Sequence, residues 1–134
     1  MAKVERFEDL DTWRKATKIA IDIYKISETE KLKNDFGTKD QIRRAAFSIS
    51  SNIAEGFEYN NNKEFVRFLK YAKGSAGELR SQLFILNQLS LIQKDFYEEI
   101  IEELVCLSGQ LSSFIKYLKN YQEKKTLNKG GIEG

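Results

Sequence analysis

The sequence predicts an all-α protein, an antiparallel up-down-up-down four-helix bundle, and three observations carry this prediction. The chain of 134 residues contains no proline, so no position forbids a long helix. Four segments repeat apolar residues at a spacing of roughly 3.6, the period of an α-helix. Only short polar stretches separate these segments, and helices joined by short connections lie adjacent and antiparallel.

The first two predicted helices run from about Asp9 to Ser27 and from Thr38 to Phe57. Thr38 with Gln41 matches a capping box, which predicts that the second helix begins there. In the first helix the apolar face is Leu10, Trp13, Ala16, Ile19, Ala20, Ile23, Tyr24 and Ile26. In the second it is Ile42, Ala45, Ala46, Ile49 and Ile53.

The third and fourth predicted helices carry heptad patterns, which favour nearly parallel packing of neighbouring helices. Asn61 is a favourable N-cap for the third helix, with Glu64 in its first turn. The fourth helix is predicted from Lys94 to Tyr121. The heptad of the third helix is Phe65, Leu69, Ala72, Ala76, Leu79, Leu83 and Leu86. That of the fourth is Tyr97, Ile100, Leu104, Leu107, Leu111, Phe114 and Leu118.

These patterns assign residues 1–121 to one bundle domain and residues 122–134 to a flexible C-terminal tail. The tail has three glycines and no apolar period, so it buries too little surface to offset its ordering entropy. The chain shows neither an apolar run of about 20 residues nor the apolar stretch of a signal peptide. We therefore expect a cytoplasmic protein without a membrane partner.

The composition argues against an enzyme. The chain has no histidine and one cysteine, which removes the commonest general base, the commonest metal ligand and any internal disulfide. Cys106 lies in an apolar helical context and is expected to fill the core. Glu98, Glu99, Glu102 and Glu103 are interpreted as a solvated face. We predict no catalytic residues, no metal and no cofactor.

A second heptad-spaced seam runs along the third helix. Its members are Phe68, Tyr71, Ser75, Glu78, Gln82, Ile85 and Leu89. Two interpretations stay open: the seam widens the bundle core, or part of it packs on another subunit. Gly74 and Gly77 lie in the same stretch, where glycine disfavours a helix, and they indicate close backbone approach.

A polar stripe on the second helix is the candidate partner of that seam. It comprises Arg44, Ser48, Ser51, Asn52 and Glu55. Because serine and asparagine are locally unfavourable in a helix, we expect them to form hydrogen bonds across the bundle or an interface. Arg44 or Asn52 would then bond Glu78 or Gln82.

Basic residues on the second and third helices are candidate nucleic-acid contacts. They are Lys39, Arg43, Lys63, Arg67, Lys70 and Lys73. The alternative is a solvated face whose charges are balanced locally, because the chain has 22 basic and 20 acidic residues and a pI near 8.6. In a homo-oligomer, the modest basic patches of the separate copies would together strengthen the binding of nucleic acid.

The most distinctive stretch runs from Asp40 to Gly56 and reads DQIRRAAFSISSNIAEG. Together with Phe7-Glu8-Asp9-Leu10, Glu64-Phe65, Arg67-Phe68-Leu69, Gly74-Ser75, Glu78-Leu79 and Gln82-Leu83, it resembles the 23S rRNA intervening-sequence protein family. This family is also described as four-helix bundle or ribosomal S23-like proteins. Ser50 stands where the family often has proline.

The resemblance implies an antiparallel bundle that assembles into a ring, commonly a pentamer, and that is encoded in bacterial genomes. The family is also similar to accessory proteins of diversity-generating retroelements, which bind a reverse transcriptase and nucleic acid. The leading functional prediction is therefore a homo-oligomeric accessory factor that binds RNA or protein. The alternative is a structural or regulatory interaction module without a nucleic-acid role.

Overall fold

The computed structural model describes the backbone of residues 3–133 and the side chains of residues 3–121 and 124. A short 3-10 helix, Phe7–Asp9, precedes four α-helices. They are α1 (Asp11–Ser27), α2 (Phe36–Glu58), α3 (Asn62–Gln88) and α4 (Lys94–Glu133). Residues 3–133 include no β-strand, so the all-α prediction is confirmed.

The four helices form a bundle in which each helix packs against its neighbours in the chain. α2 lies between α1 and α3, α3 also packs on α4, and α4 returns against α1. The predicted apolar faces meet in one core: every heptad position of α3 is buried, as are Ile100, Leu104, Leu107, Leu111 and Leu118 of α4. The bundle prediction is confirmed.

The contact between α2 and α3 is closest at Gly56. This glycine is buried near the end of α2, and a Cβ atom added there would stand 2.6 Å from the Cβ of Phe68. Such a distance is a steric overlap, so any larger residue would force the helices apart.

The helix starts agree with the sequence in one case and differ in the other. Asn61 caps α3, because its Oδ1 accepts the backbone N–H of Glu64 at 3.1 Å. The capping box predicted at Thr38 is wrong: the N-cap of α2 is Asp35, whose Oδ1 accepts the Thr38 N–H at 3.2 Å. Aspartate caps a helix as well as threonine does, so the helix starts earlier.

Two connecting segments add core residues that helical periodicity did not indicate. Leu32, between α1 and α2, is fully buried, and Ile92, between α3 and α4, is buried as well. At the end of α3, Ser90 has a φ of 56°, and the Leu91 N–H bonds the Leu86 carbonyl at 2.9 Å. This is a Schellman end, which turns the chain toward α4.

Two further predictions need correction. Cys106 is exposed, because Leu104 and Leu107 take the core positions on that turn of α4. The backbone of α4 continues to Glu133, past the helix end predicted at about Tyr121, whereas the domain boundary at residue 121 stays a prediction. The flexibility of residues 122–134 stays a prediction, because most of their side chains lie outside the description.

None of the described helices is both apolar enough and long enough for a bilayer crossing.

Candidate nucleic-acid interface

The first group of predicted basic contacts, Lys39 and Arg43, is engaged within the chain. The Lys39 Nζ lies 2.8 Å from the Glu28 carboxylate, and Arg43 pairs with the same carboxylate. Arg43 also donates to the Ser27 Oγ at 2.7 Å and lies 3.9 Å from the ring centre of Tyr24. The two basic side chains are only 13% and 22% exposed.

Electrostatics at Glu28 agree with this geometry. Hydrogen bonds from Lys39 and then Arg43 lower the pKa of the Glu28 carboxyl below its ordinary value, because both donors favour the charged form. The group therefore links the end of α1 to the start of α2, and both of its basic side chains are engaged by the Glu28 carboxylate.

Arg67 on α3 is also paired, but it lies among aromatic rings. It donates two hydrogen bonds to the Glu64 carboxylate, at 3.0 and 2.6 Å, and this partner raises the pKa of Arg67. Its guanidinium lies 4.8 Å from the Phe68 ring centre and 5.7 Å from that of Tyr71.

The remaining candidates lie on the exposed side of α3 beside α4. Lys63, Lys70 and Lys73 are exposed, as are Lys116 and Lys119 of α4. We call these five residues the basic surface. Among the described side chains, no carboxylate lies within salt-bridge distance of any of the five.

The charges of the two helices of the basic surface influence one another. The Lys119 ammonium lies against that of Lys70 and lowers the pKa of Lys70, because each positive charge disfavours the other. Two neighbouring ammonium groups without a carboxylate between them form a place where an anion would be stabilised.

The charges of α3 and α4 are distributed so that one end of the pair is basic. Residues 62–75 contain four basic side chains and one carboxylate, and residues 108–121 contain two lysines and no carboxylate. Because α3 and α4 are antiparallel, these halves are side by side. Residues 94–107, at the other end of α4, carry five carboxylates and one lysine.

The polar stripe of α2 forms a different set of bonds from the one expected. The Ser48 and Ser75 hydroxyls are 2.9 Å apart and link α2 to α3, and the Asn52 Nδ2 donates to the Ser48 carbonyl at 2.8 Å. Arg44 pairs with Asp40 on its own helix. Within the chain, neither Arg44 nor Asn52 bonds Glu78 or Gln82, because Arg44 points to solvent and Asn52 turns back to Ser48.

The second seam of α3 is divided between the two interpretations left open above. Phe68 is buried, and Ser75 and Gln82 are partly buried, as expected for a widened core. The exposed members are Tyr71, Glu78, Ile85 and Leu89, and Ser51 and Glu55 of α2 are exposed as well. A Cβ atom added at Gly74 or Gly77 would meet nothing within 4 Å, so close approach at these glycines does not occur within the chain.

Other clusters of charged groups contact one another. Between α1 and α4, the Lys18 Nζ lies 2.8 Å from Glu103 and 3.0 Å from Asp22, and these carboxylates raise the pKa of Lys18 strongly. Within the described part of the chain, no three histidine, cysteine, aspartate or glutamate residues are grouped so that they could hold a metal ion.

The fold therefore defines a small all-α bundle with an exposed basic surface. The family model for the 23S rRNA-intervening sequence protein matches residues 8–113, and the chain belongs to this family. It is also similar to a solved structure, a protein of unknown function from the S23 ribosomal protein family of Bacteroides thetaiotaomicron. The TM-score is 0.72 at 28% identity, and the match covers 78% of this chain and 98% of that one. The search of curated proteins gave no match.

Proposed function

We propose that the chain is a non-enzymatic accessory protein of the cytoplasm that binds RNA through the basic surface of α3 and α4. The observation that carries the proposal is the grouping of exposed lysines on adjacent halves of α3 and α4, where the charge of Lys119 lowers the pKa of Lys70. Two like charges repel one another, and an RNA phosphate placed between them would be stabilised by both. The exposure of Lys63, Lys73 and Lys116 extends this site along the two helices.

The proposal includes self-association into a ring, with a pentamer favoured by the family resemblance. Ile85 and Leu89 lie one turn apart and exposed near the end of α3, and exposed apolar surface of this kind is typical of protein contacts. Basic surfaces repeated around a ring would act together on one RNA. A nucleic-acid enzyme such as a reverse transcriptase is a further partner that the resemblance suggests.

Filter binding to a structured RNA over a series of salt concentrations tests the RNA site. We expect the logarithm of affinity to fall linearly with the logarithm of salt. The double variant Lys70→Gln/Lys119→Gln should reduce the magnitude of this slope by about 1.4–1.8, since each lost phosphate contact contributes about 0.7–0.9.

The matched control is Lys31→Gln/Lys94→Gln, which removes the same charge near the opposite end of α3 and α4. Lys31 donates to the Ser90 carbonyl, and Lys94 pairs only weakly with Glu98 at 3.8 Å. The control should retain the wild-type slope. Absence of binding at low salt, or equal slopes for the two double variants, would reject the RNA proposal.

A second candidate function is a protein-interaction module without a nucleic-acid role, and the exposed α3 seam favours it. Light scattering at micromolar concentration measures self-association. We expect a mass several times that of the 15.6 kDa chain and a changed mass for Glu78→Leu. A mass equal to one chain would reject self-association.

A further inference from the structure

A group of aromatic side chains borders the basic surface on α3. Tyr59 and Phe68 are stacked, with ring centres 5.2 Å apart and planes inclined by 19°. Phe68 meets Tyr71 edge to face at 5.6 Å. Tyr59 and Tyr71 are 52% and 49% exposed, whereas Phe68 is 7% exposed. The buried ring thus supports two exposed ones.

Arg67 connects this aromatic group to the lysines. It bonds the Tyr71 hydroxyl at 3.3 Å and lies over both Phe68 and Tyr71. At about 100° of rotation per helical residue, Lys63, Arg67, Lys70 and Tyr71 occupy roughly one third of the circumference of α3. Exposed rings and exposed ammonium groups therefore lie side by side.

A surface that combines exposed aromatic rings with exposed ammonium groups distinguishes unpaired from paired RNA. In a duplex the base faces are stacked on one another, so a protein surface reaches mainly phosphates and sugars. An unpaired strand offers base faces as well as phosphates, and surfaces that bind it combine positive charge with aromatic side chains. The lysines alone would bind either form, but the two exposed tyrosine rings can stack on bases only where the bases are unpaired.

We propose that the site binds single-stranded RNA, with bases stacked on Tyr59 and Tyr71 and phosphates on the basic surface. This inference rests on the RNA-binding function proposed above. Arg67 has a positioning role here: because Glu64 compensates its charge, its flat guanidinium orders Tyr71 and does not hold a phosphate.

Fluorescence anisotropy with two labelled probes tests the inference. One probe is an oligouridylate of about 16 nucleotides, and the other is a blunt RNA duplex of the same length. We expect the wild-type protein to bind the oligouridylate at least about tenfold more tightly. The double variant Tyr59→Leu/Tyr71→Leu should lose roughly tenfold or more in affinity for this probe, with an unchanged salt slope.

Two further variants separate stacking from loss of packing. Tyr59→Phe/Tyr71→Phe keeps both rings and should restore binding of the oligouridylate. Phe36→Leu removes a ring that is 73% exposed and that lies at the first residue of α2, about 35 Å along the helix from Tyr59. It should bind like the wild type. Circular dichroism and light scattering should show the same helix content and mass for all variants.

The outcomes distinguish this inference from the proposed function. If the duplex binds as tightly as the oligouridylate, or if the leucine variant binds normally, single-strand recognition is rejected while RNA binding stands. If neither probe binds at low salt, both proposals are rejected.

Discussion

The two groups of basic residues, one around Arg43 and one around Lys70, look alike in the sequence but differ in their surroundings. Lys39 and Arg43 enclose the Glu28 carboxylate and are mostly buried. Lys70 is exposed, and the charge of a second lysine, Lys119, lowers its pKa. The first group joins two helices of the bundle, and the second group is available to a partner.

The difference shows that the spacing of charges along a helix does not determine their role. Glu28 follows α1, whereas Arg43 lies on the next helix, so only the packing of α1 on α2 brings them together. Lys119 is likewise remote from Lys70 in the sequence. Which charges are compensated is decided by tertiary contacts, and these separate the candidates into a structural group and a binding group.

The largest expected effect is on stability at the first group. Arg43→Ala removes the bond to Ser27, the pair with Glu28 and the stacking on Tyr24. We expect the free energy of unfolding to fall by about 1–3 kcal/mol, measured by urea denaturation. Lys63→Ala, at an exposed position, should change it by less than about 0.5 kcal/mol. Equal losses would remove the distinction between the groups.

A smaller effect is expected on the salt dependence of RNA binding. Lys70→Gln should lower the magnitude of the slope by about 0.7–0.9, whereas Lys39→Gln should leave it unchanged, because Lys39 is engaged with Glu28. Filter binding of the two single variants to one RNA measures this difference. A reduced slope for Lys39→Gln would place the first group in the RNA site as well.

The acid dependence of stability provides a third comparison. The pKa of Glu28 is lowered in the folded protein from its ordinary value of 4.5, so its ion pairs stabilise the fold above that value and are lost as the pH falls through the lowered pKa. Glu28→Gln removes this contribution. Its thermal midpoint should therefore fall less than that of the wild type between about pH 5 and pH 3. Parallel curves would contradict the role given to Glu28.

The smallest expected effect is a gain in stability at the second group. Lys70→Gln relieves the repulsion by Lys119, so the melting temperature should rise slightly at low salt and match the wild type at high salt, where repulsion is screened. Differential scanning calorimetry at low and at high salt measures this difference in melting temperature between the variant and the wild type. A melting temperature lowered at low salt would indicate that Lys70 is already stabilised by an anion or a carboxylate.

The sequence predicted most of the fold because its helices carry regular apolar faces. The heptads of α3 and α4 and the cap at Asn61 needed only local spacing. Leu32 was missed because it lies in a connection without periodicity, and Cys106 because an apolar neighbourhood does not specify the direction of a side chain.

The candidate site was predicted less completely. The positions of Lys63 and Lys70 on one face follow from helical spacing, but the contact of Lys70 with Lys119 depends on how α3 and α4 are aligned. The group formed by Tyr59, Phe68 and Tyr71 was missed for the same reason, since Tyr59 lies in the turn after α2. Its sequence signal was the presence of three aromatic residues beside a basic stretch.

Glycine amides offer the most direct test of the central claim that RNA binds beside Lys70 and not beside Arg43. Gly74 follows Lys73 on the exposed side of α3, and Gly37 precedes Lys39 in the first turn of α2. In NMR spectra of the 15N-glycine-labelled protein, titration with RNA should shift the Gly74 and Gly77 signals and leave that of Gly37 in place. Shifts confined to Gly37, or none at all, would contradict the account.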